Sequence, residues 1–274
     1  MVEDNAAPRN QLDAYAPAEI ALLVETVGVR KARQPLLPTL ALGTLAGAFI
    51  ALGAAFFTLV MTEHGLGYGP SRLLGGVAFS LGLVLVVVAG AELFTGNNLI
   101  VMAWAERKIT GAQVLRNWLL VYLANFAGAV FIALLVHGSG IMQGGGGAMA
   151  ATATAIAEGK LGLSVSEAFF RGVLCNALVC LAVWLCFAAH TVTGKILAII
   201  FPISAFVALG FEHSVANMYL IPVAMLQGLP GATVPALIAN LVPVTLGNIV
   251  GGSVFVALAY WAIYLRPNHE ADEE

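Results

Sequence analysis

GFEHSVANM, Gly210 to Met218, interrupts an otherwise apolar run with Glu212, His213, Ser214 and Asn217 in quick succession. Of the five histidines in the chain, His213 alone sits deep within a hydrophobic segment. Ionisable groups at membrane depth are costly and mark a functional site by default. An earlier stretch, GAELFTGNN (Gly90 to Asn98), places Gly90, Glu92 and Asn97 where the later one has Gly210, Glu212 and Asn217. This pairing is the first sign of an internal repeat.

Composition sets the class. Hydrophobic residues make up 60% of the 274 residues and charged residues 10%, against roughly 45–50% and 25% in a soluble domain. An all-α integral membrane protein is expected. The net charge of −3 argues against a nucleic-acid partner, and part of it resides in the closing EADEE. Cys175, Cys180 and Cys186 share one apolar segment without CxxC or histidine-linked spacing. They read as small packing residues, so no metal and no cofactor is expected. The opening MVEDNAAPRNQLDAYAP lacks the basic-then-apolar order of a cleaved signal.

Ala18 to Gln34 mixes apolar residues with Glu19, Glu25, Arg30, Lys31 and Arg33. That pattern suits an amphipathic helix at the membrane surface. With residues 1–34 as a cytoplasmic tail and helix and 266–274 as a cytoplasmic acidic tail, residues 35–265 form the membrane domain. A hydrocarbon core of about 30 Å takes about 20 helical residues. Leu36 to Met61, Asn117 to Val136, Gly172 to Ala189 and Ala236 to Leu265 each suffice. Two further spans are interrupted. Leu73 to Ala91 meets Glu92 and continues for only thirteen uncharged residues to Ala105; Ile196 to Phe211 meets Glu212 and continues from Ser214 to Leu226. Six segments result, the second and fifth broken. Between the third and fourth, GSGIMQGGGGAMAATATAIAEGKLGLSVSE reads as a flexible aqueous loop around Gly144 to Gly147.

The repeat extends beyond the breaks. NWLLVYLANFAGA, with Asn117, Asn125 and Gly128, aligns with NLVPVTLGNIVGG, with Asn240, Asn248 and Gly251. Each half holds three spans, an odd number, so the halves enter the membrane in opposite senses. Inverted repeats with broken helices meeting near the midplane are a transporter and channel architecture. With the N-terminus inside, nine basic residues face the cytoplasm and three (Arg72, Lys160 and Arg171) face out. That asymmetry places both termini in the cytoplasm.

Each break leaves the N-terminus of a half-helix within the membrane, near Asn97 and Ser214. Amides there favour an anion, and Lys160 on the outer side can draw one in. The surrounding walls, Phe79, Leu83, Phe94, Val179 and Phe206, are apolar. A bare anion among them carries several kcal/mol of desolvation penalty, on the order of that for any buried ion; protonation to a neutral weak acid removes most of it. His213 is the natural group to exchange or polarise that proton, with Thr95 facing it from the other break. A purely structural histidine is the bland alternative. Glu92 and Glu212 read more as supports of the broken backbone than as solute contacts.

GAELFTGNN and GFEHSVANMYLIP resemble the two signature regions of the formate/nitrite transporter family, and FRGVLCNALVCLAVWLCFAAHTVTGKILAIIFPI is similar to that family's fourth-to-fifth span region. The resemblance covers about residues 18 to 265. It implies an aquaporin-like fold, a homopentamer with a pore in each protomer, and residence in the inner (cytoplasmic) membrane. Carried over by motif, Thr95 and His213 lie at the pore centre. Phe79 and Phe206 match an outer constriction, and Leu83, Phe94 and Val179 an inner one. Asn176 and Glu212 match neighbours of the histidine, with Asn97 and Asn217 in supporting places, and Lys160 matches a vestibule lysine. The family moves small monovalent anions, with formate the leading substrate here and nitrite or hydrosulfide the alternatives. Some formate channels carry Phe-Thr-Ser where this chain has Phe94-Thr95-Gly96. A neutral-gas channel is expected to place two histidines in its pore, and this chain offers one. An intramembrane enzyme is disfavoured because HExxH and GxSxG are both absent.

Overall fold

A computed structural model describes residues 14–63 and 65–266. The first thirteen residues and the acidic tail 267–274, both read above as cytoplasmic flanks, lie outside the described residues. All regular structure among the described residues is helical. Helix α1 (Pro17–Ala32) leads into α2 (Leu36–Val60) and α3 (Tyr68–Val84), which continues as a π-helical stretch over Leu85–Gly90. After an irregular segment, a 3-10 turn (Gly96–Ile100) runs into the short α4 (Val101–Ala105). Helix α5 (Gly111–Gly138) crosses back, followed by α6 (Ala148–Leu161) and α7 (Val165–Ala188). Helix α8 (Val192–Ala208) stops before the second irregular segment, and α9 (Ser214–Leu226) resumes it. Helix α10 (Val234–Ile249) passes through a π-helical stretch, Val250–Leu258, into α11 (Ala259–Tyr264).

Among the described residues, five helices are long and apolar enough to cross a membrane: Leu36–Val60, Tyr68–Gly90, Gly111–Gly138, Val165–Ala188 and Val234–Tyr264. Helices α8 and α9, at 17 and 13 residues, reach only about 26 and 20 Å at ~1.5 Å per residue. The two breaks are therefore unequal. In the first half a membrane-length helix precedes the break and a short piece follows; in the second half both pieces are short. The second break is short, because the helix resumes at Ser214, as the sequence suggests, and takes Asn217 into its first turn.

Gly90 and Gly210 end the two interrupted helices with φ of 85° and 73°. That left-handed conformation is cheap only for glycine and turns the chain out of the helix. The re-entrant pieces then cross over. Helix α9 packs on α2 and α5 of the first half, while the Gly96–Ile100 turn packs on α7 and Val250–Leu258 of the second. Each half thus completes the other.

Two expectations change. The loop expected between the third and fourth spans is largely α6, whose buried Met149, Ala153 and Ala157 help pack it against α9. Its alanine-rich sequence has high helix propensity, which outweighs the glycine run before it. Helix α1 does not present its apolar stripe to lipid. Ile20, Val24, Gly28 and Ala32 are buried against protein, and Gly28 sits over Ile100 and Ala103.

Helices α2 and α5 approach so closely that a Cβ on Gly47 or Gly128 would overlap the backbone of Asn125 or Thr44. Gly247 of α10 and Gly251 of the π-helical stretch after it play the same part against α7. Small residues permit such contact where no hydrophobic drive exists between helices in lipid. Gly128→Ala should therefore destabilise the detergent-solubilised protein by about 1–3 kcal/mol. Gly138→Ala, at a position with nothing nearby, should leave the thermal midpoint within about 1 °C or raise it slightly.

Candidate functional site

A broken helix in a membrane exposes backbone groups that water cannot satisfy. Here one asparagine deals with that at each break, in near-identical fashion. Asn125 Oδ1 accepts from the Phe94 amide at 2.9 Å, and its Nδ2 donates to the carbonyls of Gly43 and Glu92 at 2.7 and 2.9 Å. In the other half Asn248 Oδ1 accepts from the Ser214 amide at 2.9 Å, and its Nδ2 donates to Gly172 and Glu212 at 2.8 and 2.9 Å. One amide side chain bridges three backbone groups in each case.

A second, longer chain is also duplicated. Lys31 Nζ lies 2.9 Å from Glu92 Oε2, which accepts from Asn97 Nδ2 at 2.7 Å; Asn97 Nδ2 also donates to Asn117 Oδ1, and Asn117 Nδ2 to the Lys31 carbonyl. Its counterpart runs from Lys160 to Glu212 at 2.9 Å, then Asn217, Asn240 and back to the Lys160 carbonyl. Both rings close on themselves. Glu92 and Glu212 are buried, and a buried carboxylate persists when paired and fully hydrogen-bonded. Lys31 counts, from sequence alone, as one of the cytoplasmic basic residues. Its spacing to Glu92 (61 residues) differs from that of Lys160 to Glu212 (52 residues), so the repeat offset does not reveal it.

Between the two rings lie Thr95 and His213, both buried. Thr95 Oγ1 and His213 Nε2 are 2.9 Å apart. His213 also occupies the N-cap of α9, where its Nδ1 accepts from the Ala216 amide at 3.1 Å. A neutral imidazole whose Nδ1 accepts carries its proton on Nε2, so the Thr95 contact is an Nε2–H donation. The Thr95 hydroxyl keeps its own proton for another acceptor. The amides of Phe94, Ser214 and Ala216 are each taken by a side chain.

The apolar residues gather around this pair. Phe206 stacks on the His213 ring with centroids 5.9 Å apart, and Phe79 meets Phe206 edge-on at 5.6 Å. Phe94 packs edge-on against Tyr122 at 4.9 Å. Leu83, Phe94 and Val179 are buried in the same cluster as Phe79 and Phe206. Asn176 Nδ2 donates to the carbonyls of Asn248 and Thr95 at 2.7 and 3.2 Å and to Asn98 Oδ1 at 3.3 Å, tying the two breaks together. Cys180 Sγ donates to the Thr95 carbonyl at 3.3 Å. Lys160 sits in the last turn of α6, paired with Glu212, and is not a freely solvated charge. No cluster of His, Cys, Asp or Glu among the described residues is fit to hold a metal.

The formate/nitrite transporter family model matches residues 18–262. The chain belongs to that family. It is 39% identical to the formate channel FocA of Escherichia coli (strain K12), an alignment covering 94% of this chain and 98% of that one. It is 43% identical to a probable formate transporter of Methanothermobacter thermautotrophicus, covering 92% and 97%. Among solved structures, a pentameric formate channel with formate bound superposes with a TM-score of 0.77 at 38% identity, over 84% of this chain and 98% of that one. An ion channel of the same family gives a TM-score of 0.82 at 32% identity, over 89% and 98%.

The asparagine bridges should dominate local stability. Asn125→Ala leaves the Phe94 amide and the Glu92 carbonyl of the irregular segment without this partner, at about 1–3 kcal/mol for each buried group. Thermal unfolding in detergent should register a loss on the order of 3 kcal/mol or more. A loss under about 1 kcal/mol would mean that the break holds its shape without this side chain.

Proposed function

We propose that this protein conducts small monovalent weak-acid anions, formate first, through a pore that passes Thr95 and His213. The observation that carries the proposal is the Thr95–His213 bond at the junction of two broken helices, walled by aromatic and aliphatic side chains. In this reading six spans make up residues 35–265. Residues 1–34 and 266–274 flank them on the cytoplasmic side of the inner membrane, and five protomers assemble, each with its own pore. Phe79 and Phe206 form the outer constriction, and Leu83, Phe94 and Val179 the inner one. Asn176, Asn97 and Asn217 hold the polar core in place. The protein is no enzyme in this reading; its chemistry is desolvation and hydrogen bonding.

The roles follow from the bonds each residue makes. An anion passing the aromatic pair loses most of its hydration and meets donors in exchange: His213 Nε2–H and the Thr95 hydroxyl. A proton shared with the anion lowers the desolvation penalty further. His213 can give up its Nε2 proton only as an imidazolium, and a ring already protonated at Nε2 becomes one only by taking a second proton at Nδ1. That step gives up the Ala216 cap. Proton coupling in this protein is therefore linked to the start of α9. Gly96, where Phe-Thr-Ser would place a serine, has only a Val183 methyl at 3.6 Å from a would-be Cβ; serine fits there, so this position does not by itself argue for nitrite over formate.

Purified protein in liposomes, challenged with formate, nitrite, acetate and chloride, tests the substrate class. Formate should pass fastest and chloride slowest; chloride flux equal to that of formate would refute a weak-acid pathway. His213→Asn retains a good N-cap for Ala216 but has no titratable ring. Wild-type uptake should acidify the lumen and rise as external pH falls through the histidine range, and the variant should lose both behaviours. An unchanged proton-to-formate ratio in the variant would leave His213 a structural residue.

Lys160→Ala strips the buried Glu212 of its cation and turns a neutral pair into a net negative charge near the entrance. Uptake should fall, more steeply at low ionic strength, since the Debye length is about 8 Å at 0.15 M. Adding Glu212→Gln should restore part of the flux. A loss that neither salt nor the second substitution moves would assign Lys160 to structure rather than capture.

A further inference from the structure

The cavities on the two faces of the molecule are unequal. On the face carrying α1, a cavity of about 900 Å³ runs between α1, the end of α3 and α7 down to Leu83 and Leu93. On the opposite face, the hollow beside Lys160 measures about 200 Å³. A formate-sized ion fills only a small part of the larger one. Charge is as unequal as volume. Arg30, Lys31, Arg33 and Lys195 line the large cavity, with Glu92 as the one carboxylate among the described lining residues. Lys31 is paired with Glu92. Arg30, Arg33 and Lys195 make no ion pair among the described residues; Arg33 donates only to the Lys108 carbonyl, which leaves its charge uncompensated. The small hollow has one lining cation among the described residues, Lys160, and Glu212 neutralises it.

A concave wall of one sign focuses its field and concentrates counter-ions. The attraction grows in proportion to the charge of the ion. The penalty for dehydrating that ion at the apolar floor grows with the square of the charge, so a dianion meets a barrier about fourfold that of a monoanion of similar size. A polyvalent anion is thus drawn in more strongly and turned back more strongly. It lodges above Leu83 and stays there.

We propose that the vestibule on the α1 face is a binding site for a polyvalent, phosphate-class anion that blocks the pore from that side. The proposal rests on the reading of this protein as a monovalent-anion channel with α1 in the cytoplasm. It adds a one-sided inhibitor site that the small, neutralised hollow on the other face lacks. Soluble phosphates and lipid headgroups share the required chemistry; the cavity's depth, reaching Leu83 beneath α1, favours the soluble source.

Formate flux is measured in inverted and right-side-out membrane vesicles from cells making the protein, with pyrophosphate added to the bath and ionic strength matched with chloride. Pyrophosphate should inhibit in inverted vesicles and not in right-side-out ones. Arg30→Gln with Lys195→Gln should raise the half-inhibiting concentration about tenfold, as expected for the loss of two partly exposed charges; Lys195→Gln alone serves if the pair fails to assemble. Inhibition equal from both faces, confined to right-side-out vesicles, or unmoved by the substitutions overturns the proposal. No inhibition from either face also overturns it, as a site already filled by lipid headgroups would produce. Binding is read separately as a rise in thermal midpoint of the purified protein with pyrophosphate over ionic-strength-matched chloride, a rise that the substitutions should abolish. If formate flux is absent altogether while that rise remains, the channel reading fails and the anion site stands. Formate flux without the rise leaves the channel reading in place and overturns the anion site.

Discussion

Two buried glutamates, each locked in a closed ring of lysine and asparagines, are what the rest of this structure depends on. A helix broken inside a membrane is untenable unless its free amides and carbonyls find partners within the protein. Glu92 and Glu212 accept from the asparagines that follow the breaks, while Asn125 and Asn248 span the gaps with three bonds apiece. The buried carboxylates then require cations, which draws Lys31 of α1 and Lys160 of α6 to the two ends of the bundle. Helices that look peripheral in the chain are fixed by this demand.

The same economy of bonding places the site. Because each re-entrant piece packs into the opposite half, Thr95 from one break faces His213 from the other. His213 does two jobs with two nitrogens: Nδ1 caps α9, and Nε2 presents a proton to Thr95. In the proposed reading, conduction chemistry and fold integrity share one ring. Such sharing ties any change in its protonation to the backbone of the break.

Pseudo-symmetry explains the pairing of features, and departures from it are where the proposed pore residues lie. His213 stands where the first half has Leu93, and Thr95 where the second has Val215. The supporting asparagines, glutamates and glycines repeat, while the residues that would touch a solute do not. The cavities on the two faces diverge as well, one wide and basic beneath α1, the other narrow and neutralised beside α6.

Much was legible along the chain because it is encoded locally. Long apolar runs specify spans, since a helix is the only segment that satisfies its own backbone in lipid. Glu92 and Glu212, set in such runs with asparagine five residues on, announced both breaks and the inverted repeat. What stayed hidden depends on contacts between residues far apart in sequence. The ion pair of Lys31 with Glu92, the docking of α1 on Ile100 and Ala103, and the packing of α6 against α9 arise only when the halves pack. A lysine in an amphipathic segment reads the same whether it meets water, lipid or a buried carboxylate. Only the folded chain brings the carboxylate within 2.9 Å and decides among the three.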